Sequence, residues 1–325
     1  MFLSIIIPAF NAENKILTCL NSIFNQSIKI DFEVVIVDDG SSIPIEDILN
    51  DYSVHYNNLK IYRQKNCGVS VARNKGLELA VGELVWFIDA DDWIALDSFE
   101  IIQKEFKKSI ELDILEFDYC TKNRVDFEIG VKDFYYSSIS TSLVSSREYF
   151  CTYGCSIAVT NKVFRREVLN TNRFKFPDGV KMSEELVPVI KLYLADVKVK
   201  KILNCLYFYL LHTDSVTHNI TKESVKVYNN NILELITRIN SIVDKEDIRI
   251  KSMTMQIQCF LTMNFLYMAL KLRDPYYMSE LFTKYENINL YPIPQYSFHN
   301  RWKREIMRKI LNRKKIILFF LKIRS

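Results

Sequence analysis

The sequence predicts an α/β fold, a mostly parallel sheet with flanking helices, followed by a C-terminal helical region. Three observations carry this. Short, largely apolar runs recur at Ile5–Ile7, which is wholly β-branched, Phe32–Val37 and Leu84–Ile88, as expected for buried strands. Helical spacing fills the intervals, with Ile16, Leu20, Ile23 and Phe24 on one face and Val69, Ala72, Gly76 and Ala80 on another. From about residue 216 the pattern becomes wholly helical.

Taken in order, the first strand is followed by Asn11, a residue suited to capping the next helix. Pro44 to Tyr52 reads as a short helical or irregular crossover, and Leu59–Tyr62 as a third strand. Strand–helix–strand repetition of this kind implies parallel strands joined by right-handed crossovers. In the middle, Asp113 to Tyr119 places Leu115, Phe117 and Tyr119 on one face of a strand. Thr160 to Leu169 is a short element containing the basic pair Arg165-Arg166. Glu184 to Ala195 reads as a helix that tolerates Pro188 in its first turn, and Ile202 to Leu211 as an apolar strand. Beyond it, Val225, Tyr228, Ile232, Leu235, Ile239 and Ile242 form a helix seam, and Met253 to Leu272 is a well-buried helix. Tyr291-Pro292-Ile293-Pro294 reads as a linker. The expected organisation is a sheet domain over 1–215, a helical extension over 216–290, and a linker with a basic amphipathic helix over 291–325.

The composition is that of a folded chain, with 49% hydrophobic and 25% charged residues. The net charge of +4 hides an asymmetry: residues 301–325 hold ten Lys or Arg against one acid, Glu305. The rest is mildly acidic, which excludes a nucleic-acid-binding surface as the organising feature. Seven scattered cysteines lack zinc spacing and read as free thiols of a reducing compartment. The apolar runs at both ends fall far short of the ~20 residues that span a bilayer. The chain is therefore expected to stay on the side of the membrane where it is made.

Polar residues gather just past the strands. Asp38-Asp39-Gly40-Ser41-Ser42 follows the second, and Asp89-Ala90-Asp91-Asp92 follows the fourth. Ligands of open α/β sheets bind at that edge, so both clusters point to one site. Asp89 and Asp91 are hard oxygen donors on one side of the chain, suited to a divalent cation and substrate phosphates. An acidic turn is the plainer reading. Asp39 either caps a turn or accepts bonds from a base or ribose. Arg73 and Lys75 are either a solvated helix face or diphosphate contacts near a helix N-terminus. Glu184 and Glu185 either suit a helix start electrostatically or include a general base for a sugar hydroxyl. His212 and His218 flank Ser215, and one folding back toward the acidic site would be a further metal ligand.

Four segments in register resemble family 2 glycosyltransferases of the GT-A fold: Ser4–Asn11, Val34–Ser42, Gly68–Gly76 and Gly82–Asp92. The resemblance covers roughly residues 1–215. It implies an inverting enzyme that takes a sugar from a nucleotide-diphosphate donor, usually a UDP-sugar, with Mn²⁺ or Mg²⁺. It implies nucleotide-sugar contacts at Pro8, Phe10, Asn11, Asp39, Arg73, Asp89 and Ala90, and metal ligands at Asp91, Asp89 and His212. The family's base is the Asp of a Glu-Asp pair opening a later helix. Glu184-Glu185 stands there, so the base is Glu185, with Glu184 as the alternative. A non-catalytic GT-A domain that binds glycans or scaffolds a complex is the alternative function, and retention of Asp39, Asp89 and Asp91 speaks against it. A dinucleotide-dependent oxidoreductase is excluded by Pro8-Ala9-Phe10-Asn11, which lacks the glycine-rich turn.

In the tail, Trp302, Ile306 and Ile310 recur every four residues among Arg301, Lys303, Arg304, Arg308 and Lys309. Such a cationic amphipathic helix lies in a membrane interface, unless it packs within the protein or forms an oligomer. Bacterial enzymes of this resemblance extend lipid-linked glycans of capsule or lipopolysaccharide. The expected acceptor is thus a glycan or lipid-linked glycan, and the expected location is cytoplasmic, on the inner face of the bacterial plasma membrane.

Overall fold

The computed structural model describes residues 1–50, 56–122, 140–211, 221–295 and 302–324, grouped in two compact units, Met1–Ser215 and Val216–Ser325. In the first unit, β1 (Leu3–Ala9), β2 (Phe32–Asp38), β3 (Leu59–Arg63) and β4 (Leu84–Phe87) are parallel neighbours in the order β3-β2-β1-β4. The sheet continues through β8 (Lys162–Arg165), β6 (Ile114–Lys122), β9 (Lys198–Leu210) and β5 (Trp93–Ile94), while β7 (Val144–Ser145) pairs with β9. β8 runs antiparallel to both β4 and β6, so the sheet is mixed. The strand order reverses between β1 and β4, and the crevice beyond the carboxyl ends of such strands is where open sheets place ligands.

β1 is buried along its whole length because helices cover both its faces. Ile5 and Ile7 share a core with Ile16, Leu20 and Ile23 of α1 (Ile16–Phe24). On the other face, α3 (Val69–Leu79) packs Ala72 on Val35 and Val37. Gly76 of α3 lies so close to β1 that a Cβ there would stand 2.3 Å from Cγ2 of Ile6. Each fully buried Ile or Val contributes about 1.5–3 kcal/mol relative to exposure. The crossover between β2 and β3 contains α2 (Ile45–Ile48). The remaining helices of this unit are α4 (Ser98–Lys108), α5 (Ser146–Tyr153), α6 (Arg166–Thr171) and α7 (Leu186–Leu194).

Two buried carboxylates tie the sheet together. Glu33 accepts hydrogen bonds from Ser4 Oγ at 2.6 Å, Lys60 Nζ at 2.7 Å and the Val81 N–H at 2.8 Å. Burial works against its ionisation, yet these donors outweigh burial and lower its pKa. Glu116 accepts from Tyr149 Oη at 3.0 Å and Tyr193 Oη at 2.7 Å, with the wholly buried Lys162 ammonium 3.5 Å away. The expectation of seven free thiols is corrected here. Cys120 of β6 and Cys205 of β9 are joined as a disulfide, while Cys19, Cys67, Cys155 and Cys259 are free thiols. The two lie 85 residues apart, and only the pairing of β6 with β9 brings them together.

The second unit contains α8 (Lys222–Val243), α9 (Ile248–Leu270), α10 (Pro275–Asn287), α11 (Trp302–Leu311) and α12 (Lys314–Arg324). Thr221 and Ser224 form a capping box for α8, and Asp247 and Asp274 cap α9 and α10 through their carboxylates. Tyr291 and Ile293 are buried, and Tyr291 Oη donates to the Leu311 carbonyl at 2.9 Å. The basic tail forms two helices where the sequence predicts one. Asn312 exchanges two hydrogen bonds with the Ile293 backbone, at 2.7 and 2.9 Å, and that exchange holds the turn between α11 and α12.

Candidate active site

Asp89 and Asp91 stand just past β4, and Arg73 sits within α3. The Arg73 guanidinium joins three carboxylates. Nη2 donates to Asp89 Oδ1 at 2.8 Å, and Nη1 donates to Glu184 Oε1 at 2.6 Å. Nη1 also lies 3.3 Å from Glu185 Oε1. The ring of Phe176 lies under the guanidinium, 5.5 Å from centroid to carbon. The Arg73 side chain is only 5% exposed, which overturns its reading as a solvated-face residue. Lys75 does face solvent, paired with Glu78.

Local structure explains how these groups meet. Asn74 donates to the Phe176 carbonyl and accepts from the Phe176 N–H, both at 2.9 Å, so α3 grips the irregular segment ahead of α7. Ser183 adopts φ 61°, turning the chain sharply before the two glutamates. Glu184 and Glu185 then precede the first turn of α7 rather than lying within it. Successive helical residues project about 100° apart, so a helix that began at Glu184 would spread the two side chains. The turn aims them at Arg73.

The charges interact strongly. Burial raises the pKa of Glu185 to about 8; Arg73 opposes the shift, and Glu184 and Asp89 add to it. Burial also raises the pKa of Asp89, offset by Arg73 and reinforced by Asp91. Asp92 is raised well above the usual carboxylate range by burial and by Asp89 and Asp91. It accepts from Tyr207 Oη and from the Leu210 N–H, which fastens β9 to the acidic turn. Tyr207 Oη in turn accepts from the Asp89 N–H at 3.2 Å.

A second cluster lies where β1 and β2 end. Asn11, at φ 48°, bridges to the β2 loop: its N–H donates to Ser41 Oγ, and its side-chain oxygen accepts from the Ser42 N–H. Pro8 is buried within β1, and Phe10 is exposed beside Asn11. Asp39 is buried. Its oxygens accept from Gln64 Nε2 at 2.8 Å, the Cys67 N–H at 2.9 Å and the Gly68 N–H at 2.8 Å. Gly68 caps α3, so Asp39 anchors the helix that carries Arg73.

The structure thus brings Arg73, Asp89, Glu184 and Glu185 into direct contact. Asp91 stands beside them with Lys15 Nζ 3.9 Å from its carboxylate, and Ala90 is buried between the two aspartates. Pro8, Phe10, Asn11 and Asp39 group separately at the neighbouring strand ends. His212 lies outside the described residues, as do Ser215 and His218. The sequence reading did not single out Lys15, Phe176, Asn74 or Tyr207. Asn74 and Tyr207 stand inside segments already marked, whereas nothing local distinguishes Lys15 or Phe176.

The profile described as "Glycosyl transferase family 2" matches residues 4–171. A poly(ribitol-phosphate) beta-glucosyltransferase of Bacillus spizizenii is 31% identical over 66% of this chain and 33% of its own length. A cholesterol galactosyltransferase of Borreliella burgdorferi is 26% identical over 81% of this chain and 75% of its own. The chain spans from about a third to just under two thirds of the length of the first curated relatives it matches. Among solved structures, S. aureus TarS 1–349 in complex with UDP-GlcNAc aligns with a TM-score of 0.58 at 20% identity, covering 83% of this chain and 82% of that one. That likeness shows the GT-A fold. With the family profile matching just over half of its residues, the chain belongs to glycosyl transferase family 2.

Proposed function

We propose that this protein is an inverting glycosyltransferase that moves a sugar from a nucleotide-diphosphate donor to a glycan or lipid-linked glycan in cell-surface polysaccharide synthesis. One observation carries the reading: Arg73 links Asp89, just past β4, to Glu184 and Glu185 ahead of α7. Donor-side and base-side carboxylates therefore share one small space at the switch point of the sheet. The TarS complex supports a UDP-sugar as donor. Relatives acting on poly(ribitol-phosphate) and on cholesterol support a surface polymer or a membrane-borne acceptor.

Glu185 is the general base in this proposal. A carboxylate with a pKa near 8 takes up an acceptor proton more readily than an ordinary one, and the best base titrates near the working pH. Glu184, the closer partner of Arg73, positions the guanidinium. In-line attack on the anomeric carbon opposite the departing diphosphate gives inversion.

The family implies a divalent cation, and the donor set fits one. Burial, with Asp91 adding to it against the pull of Arg73, disfavours the charge on Asp89, and a hard dication would favour that charge. Asp89 and Asp91 would hold Mn²⁺ or Mg²⁺, leaving places for phosphate oxygens. The ion would neutralise charge on the leaving diphosphate. Asp39, Asn11, Phe10 and Pro8 line the nucleotide side.

The basic tail places the enzyme on the inner membrane face in this reading, where lipid-linked acceptors lie. The direct test is nucleotide release from UDP-, GDP- and dTDP-sugars, with Mn²⁺ and with EDTA. One donor class should turn over and EDTA should stop it.

A further inference from the structure

The end of α9 and the tail helices α11 and α12 enclose an apolar groove of about 440 Å³. That lies within the roughly 300–1,000 Å³ typical of small-molecule sites. Leu270, Ile310, Ile317 and Phe320 line it together with two arginines, Arg273 and Arg313. Neither guanidinium has an ion-pair or hydrogen-bond partner among the described residues, and both are exposed. Their neighbours differ in this respect: Arg308 is paired with Glu305, and Lys314 with Glu286. Arg273 holds φ 55° just past the end of α9, and Arg313 occupies the turn between the tail helices.

Beyond the groove, α12 turns large apolar side chains outward. Phe319 is 62% exposed, Phe320 58% and Ile323 63%, on a helix whose charged residues are all basic. An eleven-residue helix is about 16 Å long, half the ~30 Å hydrocarbon core of a bilayer. No helix among the described residues is long and apolar enough to cross a membrane. Exposed aromatics beside fixed cations suit the interface between headgroups and acyl chains.

We propose that this groove binds an anionic glycerophospholipid, its phosphate held between Arg273 and Arg313 and the start of its acyl chain along Leu270, Ile317 and Phe320. Phe319 and Ile323 then dip beneath the headgroups. The occupant is argued from charge and shape together: two unpaired cations stand at a lining that is otherwise apolar, which matches an amphiphile with an anionic head. A protein partner would not require that pairing. This rests on the reading that the tail meets a membrane, and it assigns the contact to α12 and the groove rather than to the Ile306 face of α11.

The experiment uses the full chain and two probes. The first is cosedimentation with phosphatidylcholine vesicles with and without phosphatidylglycerol. The second is calorimetric titration with lysophosphatidylglycerol below its micelle concentration, which reaches the groove without a bilayer. R273Q and R313Q are each expected to weaken binding to anionic vesicles roughly five-fold, the equivalent of about 1 kcal/mol per basic residue at an anionic leaflet, with unchanged Tm. F319S should lose vesicle binding but keep lysolipid binding. Lysolipid binding lost in both arginine variants supports the groove even where no vesicle binding is seen, in which case the membrane reading alone fails. Vesicle binding that survives both arginine variants, with no lysolipid bound, overturns the groove and leaves the membrane reading standing. A concentration-dependent dimer abolished by F319S and F320S, with no lipid bound, overturns both in favour of a second copy of the chain.

Discussion

Arg73 and Glu184 lie 111 residues apart in the chain and share a hydrogen bond of 2.6 Å. The same guanidinium reaches Asp89, so one cation holds together the two halves of the candidate site. Removing it leaves Asp89, Glu184 and Glu185 crowded and largely buried. Arg73→Met should therefore destabilise the first unit by about 3–5 kcal/mol, the usual cost of orphaning a buried ion-pair partner. Arg73→Lys keeps the charge but loses the fork that serves separate carboxylates, so it should retain more stability than activity. Urea unfolding beside donor turnover checks both.

Glu185 gives the site a pH signature. Its ionised form is the active base, so kcat/KM should rise with pH and level off once Glu185 is ionised, a group raised to about 8 in the metal-free site. A bound dication favours the carboxylate, so the limb should move to lower pH as Mn²⁺ saturates the site. Stability should run the other way. Because the folded-state pKa is raised, the native protein holds a proton that the unfolded chain releases above about 4.5. That contribution is fully present below pH 4.5 and is lost as pH climbs to about 8. Glu185→Gln should flatten both profiles and cut turnover by about 10²–10⁴ while leaving donor binding intact. A pH limb that survives the substitution assigns it to another group.

The sheet side of the first unit holds a buried charge network whose loss should be structural. Lys162 is wholly buried, donates to the carbonyls of Ser156 and Ala158, both at 2.8 Å, and sits 3.5 Å from Glu116. Lys162→Met should cost about 3–5 kcal/mol by leaving Glu116 buried without its nearest cation. Adding Glu116→Gln should recover part of that loss. A double-mutant cycle by thermal unfolding measures the coupling.

Gly82 should tolerate no side chain. A Cβ there would stand 2.5 Å from the Ser4 backbone nitrogen, and the Gly82 N–H already donates to Ser4 Oγ at 2.7 Å. Backbone cannot yield as a rotamer can. Gly82→Ala should therefore destabilise by about 1–3 kcal/mol or more, measured by thermal unfolding. At Gly76 the obstructing atom is Cγ2 of Ile6, so Ile6→Ala, which removes it, should relieve the clash of Gly76→Ala at the separate cost of a cavity.

The sequence made β1, β2 and β4 legible because they are short, largely apolar runs buried on both faces, and strands of that kind declare themselves without context. The acidic turns after β2 and β4 were legible for the same reason, since their place follows from the strands. The antiparallel half was harder to read. β8 has four residues and β5 has two, too short for periodicity to mark. The disulfide between Cys120 and Cys205 depends on strand order, which spacing does not encode. In the site, Arg73 could be read either way because a helical arginine is usually exposed. Its burial comes from Phe176 and from the Asn74 grip, contacts made across 102 residues. The tail hid its break because Asn312 looks like any surface residue until Ile293 is placed beside it.

The most direct test of the central claim pairs one donor screen with one variant. Nucleotide release is measured from UDP-, GDP- and dTDP-sugars with Mn²⁺, for the natural chain and for Asp91→Asn. The account predicts turnover of one donor class by the natural chain, its loss in EDTA, and a fall of several orders of magnitude in Asp91→Asn with unchanged Tm. Full turnover in EDTA, or equal turnover by Asp91→Asn, would contradict it.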